Sequence, residues 1–196
     1  AALAVGDKFL PTDSVLLGSV GAGIGGLQTA LALAADGHTV TVLESVKEFT
    51  EVGAGIRVPP NSSKLSRSWG VDLDSVPKET SLGNRFVDWH GTHLLDCPFS
   101  DVEERYGAPY YFIHRADLIK ALVAAATAHP LITLRMNTTV VEYDFAVPAV
   151  RTSTGERIAT ADLLICADGI KSTARSAIIG TPIAPRDTGD VAYRIL

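Results

Sequence analysis

Residues 15–44, VLLGSVGAGIGGLQTALALAADGHTVTVLE, carry the pattern that decides the fold. Val15–Val20 is a short, mostly apolar run of the kind buried on both faces of a sheet. From Ile24 to Ala35, the residues Ile24, Leu27, Leu31 and Ala34 recur at helical spacing. Asp36-Gly37 closes that helix, because glycine accepts the left-handed backbone that helix ends often need. Val40–Glu44 reads as a second buried strand. Strand, helix and strand in about thirty residues predict a βαβ unit with a right-handed crossover.

Between the first strand and the helix, Gly21, Gly23 and Gly26 form G-x-G-x-x-G. The first glycine permits a tight turn, the second lets backbone approach a pyrophosphate, and the third lets helix pack close to strand. The helix N-terminus then offers N–H groups and a positive dipole end to phosphates. Glu44 ends the second strand where an acidic residue accepts hydrogen bonds from an adenosine ribose. A carboxylate there disfavours a 2′-phosphate, so FAD or NAD is favoured over NADP. Glycines in a turn are often turn residues and nothing more; the ordered context of strand, helix, strand and acid is what argues for a dinucleotide. Gly18 and Ser19 are a blemish, standing where bulky apolar residues are usual. The motif alone does not choose between FAD and NAD.

Beyond this unit the alternation loses regularity. The Gly- and Pro-rich segment 52–60 reads as a loop, followed by a helix over Asn61–Trp69. Arg85–Trp89 and Thr92–Leu95 read as short strands around a tight turn. Arg115–Ala128 is a helix with Leu118, Leu122 and Ala125 on one face. Short apolar runs from Leu131 to Ala167 suggest a small antiparallel meander, ending in a buried strand at Leu163–Ala167. Ser172–Ile179 reads as a short helix.

The 196 residues, 46% hydrophobic and 20% charged, suit a soluble globular protein with one substantial domain and room for the start of a second. The formal net charge is −5 with Lys and Arg scattered, which argues against a nucleic-acid partner and against an anionic membrane surface. Cys97 and Cys166 make no disulfide framework, so a reducing, cytoplasmic setting is expected. Ala1–Leu10 lacks signal-peptide character, and no apolar run reaches membrane-span length. Asp88, His90, His93 and Asp96 cluster in sequence, but a hairpin turn accounts for them and no metal is expected. No Ser-His-Asp arrangement can be assembled.

The stretch Leu163–Arg175, LLICADGIKSTAR, together with Gly21–Gly26, resembles the aromatic-ring hydroxylases, in particular the salicylate hydroxylase-like flavoprotein monooxygenases. The resemblance implies FAD, with Asp168 and Gly169 near the flavin pyrophosphate and the same segment implicated in handling the nicotinamide. A carboxylate beside phosphates is repelled unless it acts through water or shapes its own turn. Asp168 is therefore expected to organise the loop, while backbone amides and Arg175 meet negative charge. Residues 51–61, EVGAGIRVPPN, are similar to the loop that passes the isoalloxazine ring in this family. Small residues such as Gly55 suit close approach to a flat ring. Arg57 either faces flavin or substrate or is a solvated charge. Arg115, in His114-Arg115-Ala116-Asp117-Leu118, is a cation at a helix N-terminus, which opposes the macrodipole and calls for an external anion; the family places an Arg here for the FAD phosphates. A surface pair with Asp117 is the alternative. Tyr110-Tyr111 fits core packing better than a substrate cage.

Members of this family are much longer, so the resemblance covers their N-terminal portion and implies a fragment or truncated form. Gly6-Asp7 and Gly189-Asp190 lack the context of the family's later Gly-Asp motif. The expected fold is α/β: a Rossmann-type FAD-binding domain over residues 1–189 with a small meander, residues 80–112 serving the substrate side, and residues 190–196 opening a substrate-domain sheet. For the intact protein the resemblance implies hydroxylation of a small aromatic substrate with NADH or NADPH and oxygen. No catalytic residue is nominated. A non-catalytic FAD-binding fragment and an NAD-dependent dehydrogenase are the alternatives, and the oligomeric state is not legible.

Overall fold

The computed structural model describes residues 16–49, 53–159, 162–191 and 193. The lead-in at 1–13, Val15, Glu51-Val52 and most of the expected strand at 191–196 lie outside the described residues. The chain opens with β1 (Leu16–Val20), α1 (Ile24–Ala35) and β2 (Thr39–Leu43). There follow β3 (Gly55–Val58), α2 (Pro60–Ser68), β4 (Lys78–Thr80), β5 (Gly83–Val87), β6 (His93–Pro98), α3 (Val102–Tyr106) and β7 (Tyr111–His114). Then come α4 (Arg115–Ala128), β8 (Ile132–Arg135), β9 (Val140–Asp144), β10 (Ala149–Thr152), β11 (Arg157–Ala159), β12 (Leu163–Cys166) and α5 (Thr173–Ile179). Two compact units result: Ala1–Thr50 with Leu122–Tyr193, and Glu51–Ala121 with Arg194–Leu196.

The first unit is built on a parallel sheet of order β12-β1-β2-β8. The central strand β2 is covered on both faces: Val40, Val42 and Leu43 are fully buried. On α1 the buried face is Gly26, Leu27, Ala30, Leu31 and Ala34, a helical stripe. Each fully buried Leu or Val contributes roughly 1.5–3 kcal/mol relative to exposure. The expected β1-α1-β2 unit is present, and α1 has the expected bounds. One expectation needs correction. Ile132–Arg135 belongs to the parallel sheet beside β2, not to the meander. The reason is the preceding α4, since a helical crossover returns the chain in the same direction as β2.

The meander proper is β9, β10 and β11, antiparallel in the order β11-β10-β9. Its Val150 closes a core cluster with Val20 and Leu43, against which Val140, Tyr143, Ile158 and Leu164 pack. The other side carries surface ion pairs such as Arg151–Glu142 at 2.9 Å, which contribute little.

In the second unit, β3-β7-β4 form an antiparallel sheet. The loop expected over 52–60 is thus corrected in its middle: Gly55–Val58 is an edge strand paired to β7. Glycines and Pro59-Pro60 hid it, and edge strands tolerate both. Its ladder partner lies far along the chain, where no local pattern announces it. Val58, Tyr111 and Ile113 are buried, so Tyr111 packs in the core as expected. The hairpin β5-β6 matches the two expected strands, with Gly91 in left-handed backbone at its tip.

Candidate functional site

The strand order places β1 between β2 on one side and β12 on the other. Chain progression therefore reverses at β1/β12, and such a switch point at the carboxyl ends of strands is where open α/β sheets bind ligands. Two turns emerge there, Gly21–Gly23 after β1 and Ala167–Ser172 after β12. They abut: Ala167 N–H donates to the Val20 carbonyl at 2.8 Å. Gly21 has φ +98°, and a Cβ on it would sit 2.5 Å from the Ala167 carbonyl oxygen. A Cβ on Gly26 would overlap the Gly21 carbonyl oxygen. These two glycines are demanded by the protein's own backbone.

Gly23 is different. Its backbone is extended, with φ −68° and ψ 179°, and a Cβ on it would meet nothing within 4 Å. It is the N-cap of α1, makes no side-chain cap, and is followed by no acidic residue in the first turn. Helix geometry leaves the N–H groups of Ile24, Gly25 and Gly26 without intrahelical acceptors. An uncapped helix start behind a glycine that faces open space fits a phosphate cradle.

Glu44 holds this turn in place. One carboxylate oxygen accepts from Ala22 N–H at 2.7 Å; the other accepts from Ser45 Oγ and Val46 N–H, each at 3.0 Å. A carboxylate offers about four acceptor positions, so capacity remains for a ribose hydroxyl.

Asp168 turns back on its own segment. Its Oδ2 accepts from Thr173 N–H at 2.9 Å, Ala174 N–H at 3.2 Å and Tyr143 Oη–H at 3.2 Å. Burial raises its pKa, but hydrogen bonds from the Ser172 hydroxyl, Ala174 N–H, its own N–H and Tyr143 outweigh that and hold it below the ordinary carboxylate range. Ser172 caps α5 by accepting from Arg175 N–H at 2.9 Å. Gly169 supplies the left-handed residue of the turn at φ +81°. One guanidinium nitrogen of Arg175, the residue expected to meet negative charge, donates to the carbonyls of Ile170 at 2.9 Å and Ile183 at 3.3 Å. Burial pushes the neighbouring Cys166 thiol up to about 11, so it stays protonated at neutral pH.

Gly55, Arg57 and Arg115 belong to the second unit. Gly55 starts β3 opposite His114, and Arg57 stands opposite Phe112 with its guanidinium 6.0 Å from that ring's centroid. Arg115 opens α4, its N–H bonded to the Ala54 carbonyl at 3.1 Å. Asp117, two residues on, pairs with Lys120 at 3.1 Å. On the hairpin, Asp88 accepts from the N–H groups of His90 and Thr92, and His93 pairs with Asp96 at 3.2 Å. Among the described residues no cluster could hold a metal ion, and no helix is long and apolar enough to cross a membrane. Tyr143 was missed from the sequence, since nothing local marks a residue whose partner lies on another element.

The fold and turns define a dinucleotide-binding arrangement of the Rossmann type. Residues 14–190 match the family described as FAD binding domain, and the chain belongs to it. It is 37% identical over 186 residues to FAD-dependent monooxygenase OpS4 of Beauveria bassiana, covering 90% of this chain and 42% of that protein. It is 34% identical over 181 residues to 3-hydroxybenzoate 6-hydroxylase of Klebsiella oxytoca, covering 89% of this chain and 45% of that protein. The structure of tetrameric 2-methyl-3-hydroxypyridine-5-carboxylic acid oxygenase matches with a TM-score of 0.71 at 29% identity, over 84% of this chain and 42% of that one. The chain thus spans less than half the length of these relatives.

Proposed function

We propose that the α1 N-terminus seats the pyrophosphate of FAD, with Gly23 giving clearance and Glu44 accepting from the adenosine ribose. The observation that carries this is the uncapped start of α1 beside a glycine with open space above it, in a chain of the FAD binding domain family. Gly21 and Gly26 shape the turn, and Asp168 and Gly169 shape its neighbour. Arg115 supplies a fork of donors for phosphate oxygens, while Gly55 and Arg57 serve the ring side. Arg175 supports the Asp168 turn. Family membership argues against the NAD-dependent dehydrogenase reading.

The reaction proposed for the whole protein is hydroxylation of a small aromatic substrate with NADH or NADPH and oxygen. Relatives whose names specify hydroxybenzoate and hydroxynicotinate substrates support it. Bound FAD would supply the redox chemistry; the residues described here bind and orient it.

Titrating the purified chain with FAD, followed by quenching of flavin fluorescence, tests the site. Saturable binding is expected. It should weaken about a hundredfold in Gly23→Leu, where side-chain bulk costs about 1–3 kcal/mol, and about tenfold or more in Arg115→Ala. Absence of saturable FAD binding, or NAD binding in its place, would overturn the reading.

A further inference from the structure

We propose that Tyr143 is a positioning residue for the cofactor turns, its hydroxyl holding the Asp168 carboxylate and hence the Ala167–Gly169 backbone against the glycine turn. The inference rests on the FAD reading above and extends it to a residue outside both turns. Tyr143 lies on β9, where its ring packs against the cluster of Val20, Leu43 and Val150. Val20 and Leu43 are the last residues of β1 and β2, so the ring is fixed at the carboxyl edge of the parallel sheet. From there its hydroxyl reaches Asp168 Oδ2 at 3.2 Å. The same oxygen accepts the first N–H groups of α5.

The link onward is backbone. Ala167 N–H bonds to Val20, and the Ala167 carbonyl lies where Gly21 permits no Cβ. Gly21 N–H in turn bonds to the Leu43 carbonyl at 2.8 Å. A shift of the Asp168 turn is therefore transmitted to the glycine turn without any flexible side chain between them. The polar groups meeting Asp168 are the Tyr143 hydroxyl from β9, the protonated Cys166 thiol from β12, and the Ser172 and Thr173 hydroxyls leading into α5. Arg175 on α5 is held by carbonyls of Ile170 and Ile183. Tyr143, kept protonated by burial, is a donor throughout the neutral range. Removing its hydroxyl takes a hydrogen bond from the ionised carboxylate, so Asp168 should gain a proton at higher pH.

The test compares the chain with Tyr143→Phe, Asp168→Asn and the double variant. The amide resonances of Thr173 and Ala174 are followed through an acid titration without FAD, and FAD affinity is measured by fluorescence quenching. In Tyr143→Phe the acid transition of those amides should move to higher pH, and FAD should bind about three- to tenfold more weakly. Against Asp168→Asn, Tyr143→Phe should change FAD affinity far less, since the two groups act as one unit. An unmoved acid transition would sink the proposal, because a ring that only packs is kept in Tyr143→Phe. So would an equal loss of affinity in both backgrounds, because the hydroxyl would then act independently of Asp168. If the unmodified chain failed to bind FAD, the functional reading would fall by itself, while the amide titration would still decide the Tyr143–Asp168 link.

Discussion

β1 and β12 lie side by side in the parallel sheet, and each delivers a glycine-containing turn into a helix. The two helix starts are finished in opposite ways. α5 receives a carboxylate from Asp168 and a hydroxyl from Ser172, so its first N–H groups have acceptors within the chain. α1 begins at Gly23 with no side-chain cap and no acid in its first turn. The protein supplies its own anion to one dipole end and leaves the other without a side-chain cap, the end proposed to seat the pyrophosphate. On that proposal a conspicuous aspartate is compatible with nearby phosphates, because its charge is already engaged within the chain.

The contrast can be broken most severely at Gly26. Gly26→Ala drives a methyl into the Gly21 carbonyl and should cost about 3 kcal/mol, the upper range for overpacking. Thermal melts would read it, and an unchanged midpoint would contradict the tight packing of α1 on its turn. Gly23→Asp gives α1 the kind of internal anion that α5 has. FAD affinity should fall about a hundredfold through repulsion and bulk, while stability holds or rises by a few tenths of a kcal/mol. Retained affinity would show that the pyrophosphate does not sit there.

The converse change is Asp168→Ala, which leaves Ser172 as the N-cap of α5 but removes the acceptor of the Thr173 and Ala174 N–H groups. It should cost about 1–2 kcal/mol at neutral pH. Because the folded state holds Asp168 below the ordinary carboxylate range, its contribution is present above the unfolded pKa. It is lost as pH falls through the lowered folded value. Melts of both proteins should therefore converge in acid; a constant gap would mean that ionisation is not what caps the helix. The smallest effect is expected at Ser19, fully buried on β1 with a hydroxyl that lacks a partner. Ser19→Ala should raise stability by about 0.5–1 kcal/mol, since it removes an unsatisfied polar group. A lower melting point would reveal a polar role for the residue that looked out of place in the first strand.

Much of the first unit was legible because its signals are local. Helical spacing set the bounds of α1 and α4, and the ordered glycines with Glu44 fell at the carboxyl ends of β1 and β2. The strands of the second unit were harder. β3 and β7 are 4 residues each, and β3 carries a glycine and borders two prolines, so neither has a period long enough to read. The hairpin β5-β6 was the exception, since its turn lies within one short window.

The residue types at each turn and the apolar periods were thus determined by the sequence alone, because backbone sterics and helix geometry act over a few residues. It was tertiary structure that decided how the groups are used. Glu44 reaches back to Ala22 N–H, Arg175 closes on carbonyls, and Asp168 is shared between α5 and a tyrosine on β9. The Arg175 contacts are local to the α5 segment. The Glu44 and Tyr143 contacts depend on which strand ends are neighbours, and that adjacency is set by sheet order, which no single stretch of sequence encodes.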